Sequence, residues 1–209
     1  MNKILKYILV VAVVGLLGYK SVYFKKISEI RSTSNTKFDA PGFSSKLWSE
    51  KMPAKIDSAV DLTIFINAIT TDKETAFKRY SNALGIGNYR YALIKAQGTV
   101  NYVNEDDVQV QLPVADSIIN AVIATEFIYG NAIRDASALV DIKDYSNTAD
   151  LNSISEEMNK IVRTTVVPPF KKAIKKGDKV NITAAVELNK AHIKWTGLEL
   201  LPVRLQIVQ

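Results

Sequence analysis

Residues 89–112 read YRYALIKAQGTVNYVNEDDVQVQL, and this stretch decides the fold class. Its period is two. Tyr89, Tyr91 and Leu93 alternate with Arg90 and Ala92, and Thr99, Asn101 and Val103 alternate with Val100 and Tyr102. Gly98 interrupts the run, as a bulge or a barrel corner does. Asn104-Glu105-Asp106-Asp107 is a turn. Val108, Val110 and Leu112 then alternate with Gln109 and Gln111, so the stretch predicts a β-hairpin.

Downstream, the pattern predicts strands at about 120–129 and 138–142. Asp150 then caps an amphipathic helix over about 150–167, with Leu151, Ile154, Met158, Ile161, Val162 and Thr165 on one face and Pro168-Pro169 as its stop. Further strands follow at about 180–188 and 203–208. Five or six strands with one late helix form the pattern of a small closed or partly open barrel, as in the OB-fold.

Upstream of residue 89 the period is helical. Residues 43–52 predict a short helix with Leu47 and Trp48 inward, stopped by Pro53. Asp57 or Ser58 caps a central helix to about Ile69. Asp72 caps another with Glu74 in its first turn, where the helix dipole favours acids. Ala76, Phe77, Tyr80 and Leu84 give it a stripe, and Gly85 and Gly87 end it. The predicted class is therefore α+β, a helical lobe at 43–87 followed by an OB-like β-barrel lobe at 88–209 with one inserted helix.

The N-terminus reads differently. Residues 7–19, YILVVAVVGLLGY, carry no charge and follow Lys3 and Lys6. The bulky residues after Tyr19 offer no small-residue cleavage site, so residues 1–24 are expected to form an uncleaved signal-anchor helix. Lys20 snorkels and the tyrosines sit at the interfaces. Residues 25–42, rich in Ser, Thr and Asn and ending in Ala40-Pro41-Gly42, are expected to be a linker.

Net charge is +6, but its distribution argues against a nucleic-acid binder. Residues 1–31 hold six basic groups and one acid, leaving 21 basic and 20 acidic groups in the remainder. The excess flanks the apolar segment, where it matches anionic headgroups. A nearly neutral body lacks the field that phosphate binding needs. The positive-inside rule, counting Lys20, Lys25, Lys26 and Arg31 after the segment, by itself mildly favours a cytoplasmic body. Cysteine is absent, which excludes disulfides, thiolate metal sites and a cysteine nucleophile within these residues.

Several short motifs share an order: Trp48 followed by a Pro, Ala59-Val60-Asp61-Leu62, Gly98-Thr99-Val100, then Gly130-Asn131 with Arg134-Asp135, Asp144-Tyr145, Asn147, and finally Pro202-Val203. In this the chain resembles a bacterial family of predicted periplasmic lipoproteins of unknown function, often encoded beside sugar (ribose-type) ABC transporters. The resemblance spans about 38–208. It implies a helical lobe paired with an OB-like lobe, a body in the periplasm or outside the cell, and a place on the cytoplasmic membrane near transporter components. It supplies no reaction. The chain departs from the family pattern in lacking a lipobox cysteine, in having Tyr129-Gly130 where Gly-Pro is common, and in having Thr148 where Gln is common.

Gly130, Asn131, Arg134, Asp135 and Asn147 are the candidate binding or structural motif. Arg134 has two readings: a fork that clamps a carboxylate or phosphate, or an ion pair tying the turn to a neighbouring strand. No catalytic, metal or cofactor residues are assigned. His192, the one histidine, falls in an expected surface hairpin, and no nucleophile elbow is present. Glu105-Asp106-Asp107 lacks EF-hand spacing and reads as a solvated turn. Lys171, Lys172, Lys175, Lys176 and Lys179 read as a solvated basic face. The function expected is a non-enzymatic, membrane-tethered accessory or binding protein with no cofactor. The alternatives are a carboxylate-dependent periplasmic hydrolase and, more remotely, an OB-type nucleic-acid binder.

Overall fold

The computed structural model describes residues 38–208 except 86 and 146, together with Tyr7 and Val13. The expected anchor at 1–24, apart from Tyr7 and Val13, and all of the expected linker except residues 38–42 therefore lie outside the described residues. Residues Asp39–Gln209 form one compact unit.

The hairpin at 89–112 forms as its alternation predicts. Strand β2 (Tyr89–Val103) pairs antiparallel with β3 (Asp107–Val114), with a bulge between Val100 and Tyr102. β3 turns tightly into β4 (Ser117–Ala124) through Ala115, whose φ is 49°. β5 (Lys179–Asn189) and β6 (Leu198–Val208) complete the sheet. The order β2-β3-β4-β6-β5 closes on itself because β2 also pairs with β5, and β4 lies parallel to β6. A five-stranded ring with this order, its helices inserted between the third and fourth ring strands, is the OB-fold arrangement. The sixth strand, β1 (Val60–Asp61), adds to one edge of β2 in parallel.

At Gly98 and Thr99 the strand β2 exchanges β5 for β3 as its partner. A Cβ on Gly98 would lie 2.7 Å from Leu112 Cδ2 and 3.0 Å from the backbone oxygen of Gln111. The glycine therefore marks the barrel corner that the interrupted alternation suggests. The face of β2 turned to the core carries Ala92, Ile94 and Val100. Leu93, on the other face, is buried as well.

The helices depart from expectation in several places. Helix α1 (Ala40–Glu50) starts inside the stretch expected to be a linker, because Asp39 caps it by accepting the Gly42 N–H at 3.1 Å. Leu47 is buried and Trp48 half-buried. Pro53 does not stop the chain; it occupies the first turn of α2 (Met52–Asp57), where its missing N–H costs nothing. The helix expected from residue 57 or 58 begins later, as α3 (Leu62–Thr71), capped by Asp61. Ala59 to Asp61 instead lead in through β1. Helix α3 is one-sided rather than central: Leu62, Phe65 and Ile69 are buried and Ile64 is exposed. Asp72 does cap α4 (Lys73–Tyr80), but the helix stops at Tyr80, before Leu84.

Between β4 and β5 the differences are larger. The strand expected at 120–129 ends at Ala124, and residues 138–142 form no strand. The chain makes helix α5 (Ala132–Ser137), a left-handed turn at Ala138 (φ 51°) and a 3-10 turn at Ile142–Asp144. With β2 and β5 already paired, the barrel offers no free edge there. Helix α6 (Thr148–Ile161) is capped by Asn147 rather than Asp150. It continues through a π turn, Val162–Val166, into α7 (Val167–Ala173), whose first turn carries Pro168-Pro169. Phe170 and Ile174 join the barrel's apolar cluster, as do Leu62, Phe65 and Phe77 from α3 and α4.

Candidate functional site

After β4 the backbone N–H groups of Thr125 and Glu126 both donate to the carbonyl of Asp106. The chain then crosses to Gly130, whose φ of 77° turns it into α5. Ile128 and Ile133, both fully buried, anchor this turn on either side. The Arg163 guanidinium donates to the Ile128 carbonyl and lies 5.2 Å over the Tyr129 ring. Asn159 Nδ2 donates to the Gly130 carbonyl at 2.8 Å. Helix α6 and the π turn thus hold the turn through two side chains.

Arg134 and Asp135 are both buried, 7% and 3% exposed, and Arg134 Nε donates to Asp135 Oδ1 at 2.7 Å. Asp135 Oδ2 accepts from Asn131 Nδ2 at 2.6 Å, so both carboxylate oxygens are engaged. Arg134 Nη1 donates to the Leu151 carbonyl at 2.9 Å. The pair therefore ties the turn to helix α6, not to a strand. Asn82 Nδ2 reaches the Asp135 carbonyl at 2.9 Å, and Ser137 Oγ donates to the Arg134 carbonyl at 2.6 Å. Beside this network, burial holds the Tyr91 phenol above the usual tyrosine range. An interaction with Asn131 opposes that shift, and the charges of Glu187 and Asp135 add to it.

A cleft of about 380 Å³ opens between the turn and α6, lined by Tyr129, Gly130, Asn131, Arg134, Asn152, Ser155, Glu156, Asn159 and Arg163. A second depression of about 360 Å³ shares Tyr129, Gly130 and Asn131 and adds Phe127, Glu187, Glu199 and Leu201. Phe127 and Tyr129 are 60% and 62% exposed, an unusual placement for two large aromatics so close in sequence.

Gly130, Asn131, Arg134 and Asp135 thus come together. Asn147 stands apart in a capping role: its Oδ1 accepts the Asp150 N–H and its Nδ2 donates to Asp150 Oδ2, both at 2.9 Å. The wall supplied by α6 was missed in the sequence. The signal was its polar face, since Asn152, Ser155, Glu156, Asn159 and Arg163 recur at helical spacing opposite the apolar stripe.

The other groups weighed in the sequence sit elsewhere. His192 is exposed in the β5–β6 loop. Asp107 Oδ1 accepts from Asn104 Nδ2 at 2.7 Å within the acidic turn. Lys171 closes on that turn, donating to the carbonyls of Asn104 and Glu105 and to Thr125 Oγ1, and Lys176 lies 4.8 Å over the Tyr102 ring. Two of the five lysines are therefore engaged with the protein. Among the described residues, no cluster of three or more His, Asp or Glu could hold a metal ion. No described helix is long and apolar enough to cross a membrane.

The family model described as "Predicted periplasmic lipoprotein (DUF2291)" matches residues 12–206. The chain belongs to this family. DUF2291 proteins are predicted to be membrane-tethered with a periplasmic body, although a lipid-bearing cysteine is not present in these 209 residues. Among solved structures, an OB-fold protein from Thermotoga maritima is similar at 24% identity and a TM-score of 0.72, over 83% of this chain and 100% of its own. That likeness supports the OB-fold reading of the barrel. A candidate aspartyl-tRNA synthetase from Leishmania major Friedlin aligns at 12% identity with a TM-score of 0.30, over 95% of this chain and 26% of its own, and carries no argument. No curated protein matches the chain.

Proposed function

We propose that this DUF2291 protein is an accessory protein that works at the membrane by binding, without turnover, beside a sugar-type ABC transporter. The family match over residues 12–206 supports the membrane-tethered, periplasmic part of this reading; the transporter as partner rests only on the family resemblance of the sequence. In this reading residues 7–19 are the tether, and the family's periplasmic description, rather than the flanking charges, supports a body on the periplasmic side of the cytoplasmic membrane. A tether confines the domain to a thin layer and raises its effective concentration toward membrane partners, so weak contacts suffice.

Two observations support binding over catalysis. The one deeply buried carboxylate of the turn, Asp135, has both oxygens engaged, which leaves it poorly placed to act as a base. The exposed Phe127 and Tyr129 offer apolar contact area with little rotamer entropy to lose. Mild solubilisation and affinity purification of the tagged full-length chain test the reading. Recovery of a transporter subunit or its substrate-binding protein is the expected outcome. Hydrolysis of a sugar or peptide by the purified chain, with no membrane partner recovered, would overturn it.

A further inference from the structure

Resting on the reading that a partner docks at Phe127 and Tyr129, we infer that the depression beside them receives a basic side chain, arginine or lysine, from an exposed segment of that partner. The depression, of about 360 Å³, is walled by these aromatics and by Glu187 of β5 and Glu199 of β6. Both carboxylates are exposed, and neither forms an ion pair among the described residues. Glu187 interacts with the Tyr91 phenol, a neutral group that leaves its charge unbalanced. No side chain lining the depression is basic. Arg163, over the Tyr129 ring, is committed to the Ile128 carbonyl and lines the neighbouring cleft. Glu187 and Glu199 each stand two residues from the last β5–β6 pair, Ala185 with Leu201, so alternation turns both to one face. Like charges facing each other across strands are destabilising. Residues 32–209 hold 21 basic and 20 acidic groups, so these uncompensated acids are a local feature.

The charges select the class. A phosphate or carboxylate meets two carboxylates and is repelled. A neutral amide or sugar leaves them uncompensated, and a zwitterion brings a new acid along with its cation. A hard divalent cation asks for about six oxygen ligands, and the described residues hold no cluster of three His, Asp or Glu. A guanidinium or ammonium group pairs with the carboxylates and lies against an aromatic ring. The Phe127 ring is free for this, with no ring or cation partner among the described residues. The aromatics also favour a protein as the source. A free amine filling the depression leaves Phe127 and Tyr129, 60% and 62% exposed, facing water, whereas a protein surface carrying the cation covers them.

The test is fluorine NMR of the full 209-residue chain in a zwitterionic detergent, with 4-fluorophenylalanine in place of Phe127. The probes are N-acetyl-arginine amide, its neutral counterpart N-acetyl-citrulline amide, and N-acetyl-glutamate amide, at constant ionic strength. The arginine probe is expected to shift the resonance saturably, with its midpoint at about 10 mM, and the other two are not. Glu187→Gln combined with Glu199→Gln is expected to weaken that binding about fivefold or more. The same variant is expected to melt no lower, since it removes a repulsion. Asp116→Asn, a charge change in the β3–β4 turn, is expected to leave the affinity unchanged. Absence of a saturable shift with the arginine probe would overturn the inference. So would an equal shift with citrulline, or an affinity that the double variant leaves unchanged. Arginine binding with no recovered transporter component would count against the transporter reading alone. A recovered transporter component without arginine binding would overturn this inference alone.

Discussion

Arg134 places a charge where water barely reaches, and its neighbour in sequence neutralises it. Adjacent helical residues do not ordinarily face each other. The contact forms because Asn131, one turn earlier, holds the far oxygen of Asp135. Arg134→Ala leaves that carboxylate buried and unpaired, and is expected to cost about 3–5 kcal/mol, read as a lower midpoint in urea. Arg134→Met combined with Asp135→Leu removes both charges and is expected to recover much of the loss. Asn147→Ala removes only a helix cap and is expected to cost about 1 kcal/mol while leaving the cleft intact. Tyr91 gives a pH signature. Its raised pKa means that its contribution is complete below the usual tyrosine value near 10 and is lost as pH rises through the folded-state value. Denaturant midpoints are therefore expected to fall above about pH 10, and less steeply in Tyr91→Phe. The Arg134-Asp135 pair was legible in the sequence as a distinctive dipeptide. Its partner Leu151, seventeen residues away and reached through a backbone carbonyl, leaves no mark on side-chain pattern.

At the scale of elements, period two revealed β2 and β3, and period 3.6 revealed α6. Two short elements escaped. Helix α5 has six residues, too few for a periodic stripe, while the apolar run at 138–142 imitates a strand. The π turn also escaped. Pro168 and Pro169 would normally end a helix, but here the hydroxyls of Thr164 and Thr165 donate to the carbonyls of Lys160 and Ile161 at 2.8 and 2.6 Å. The widened turn lets the axis continue and brings Phe170 to the barrel. Phe170→Ala is expected to cost about 3–5 kcal/mol, as large-to-small core changes do, measured by thermal unfolding. Gly98→Ala is expected to cost about 1–3 kcal/mol, because its Cβ meets a backbone oxygen that cannot swing away.

At the scale of the molecule, five ring strands and the inserted helix were readable from order along the chain, whereas the short β1, the absence of a strand at 138–142 and the closure of the barrel were not. Pairing of β2 with β5 joins residues about ninety apart, and nothing local encodes it. Beside the closed sheet, the segment from 127 to 134 carries two exposed aromatics, Phe127 and Tyr129. On a membrane-tethered body these aromatics are where a partner is proposed to dock. The most direct measurement is site-specific photo-crosslinking in intact cells, with the photoreactive residue at Phe127 and, as control, at His192 in the β5–β6 loop. A discrete crosslinked band containing a transporter component by mass spectrometry is expected from position 127, and none from position 192. Equal, diffuse labelling from both positions would contradict it.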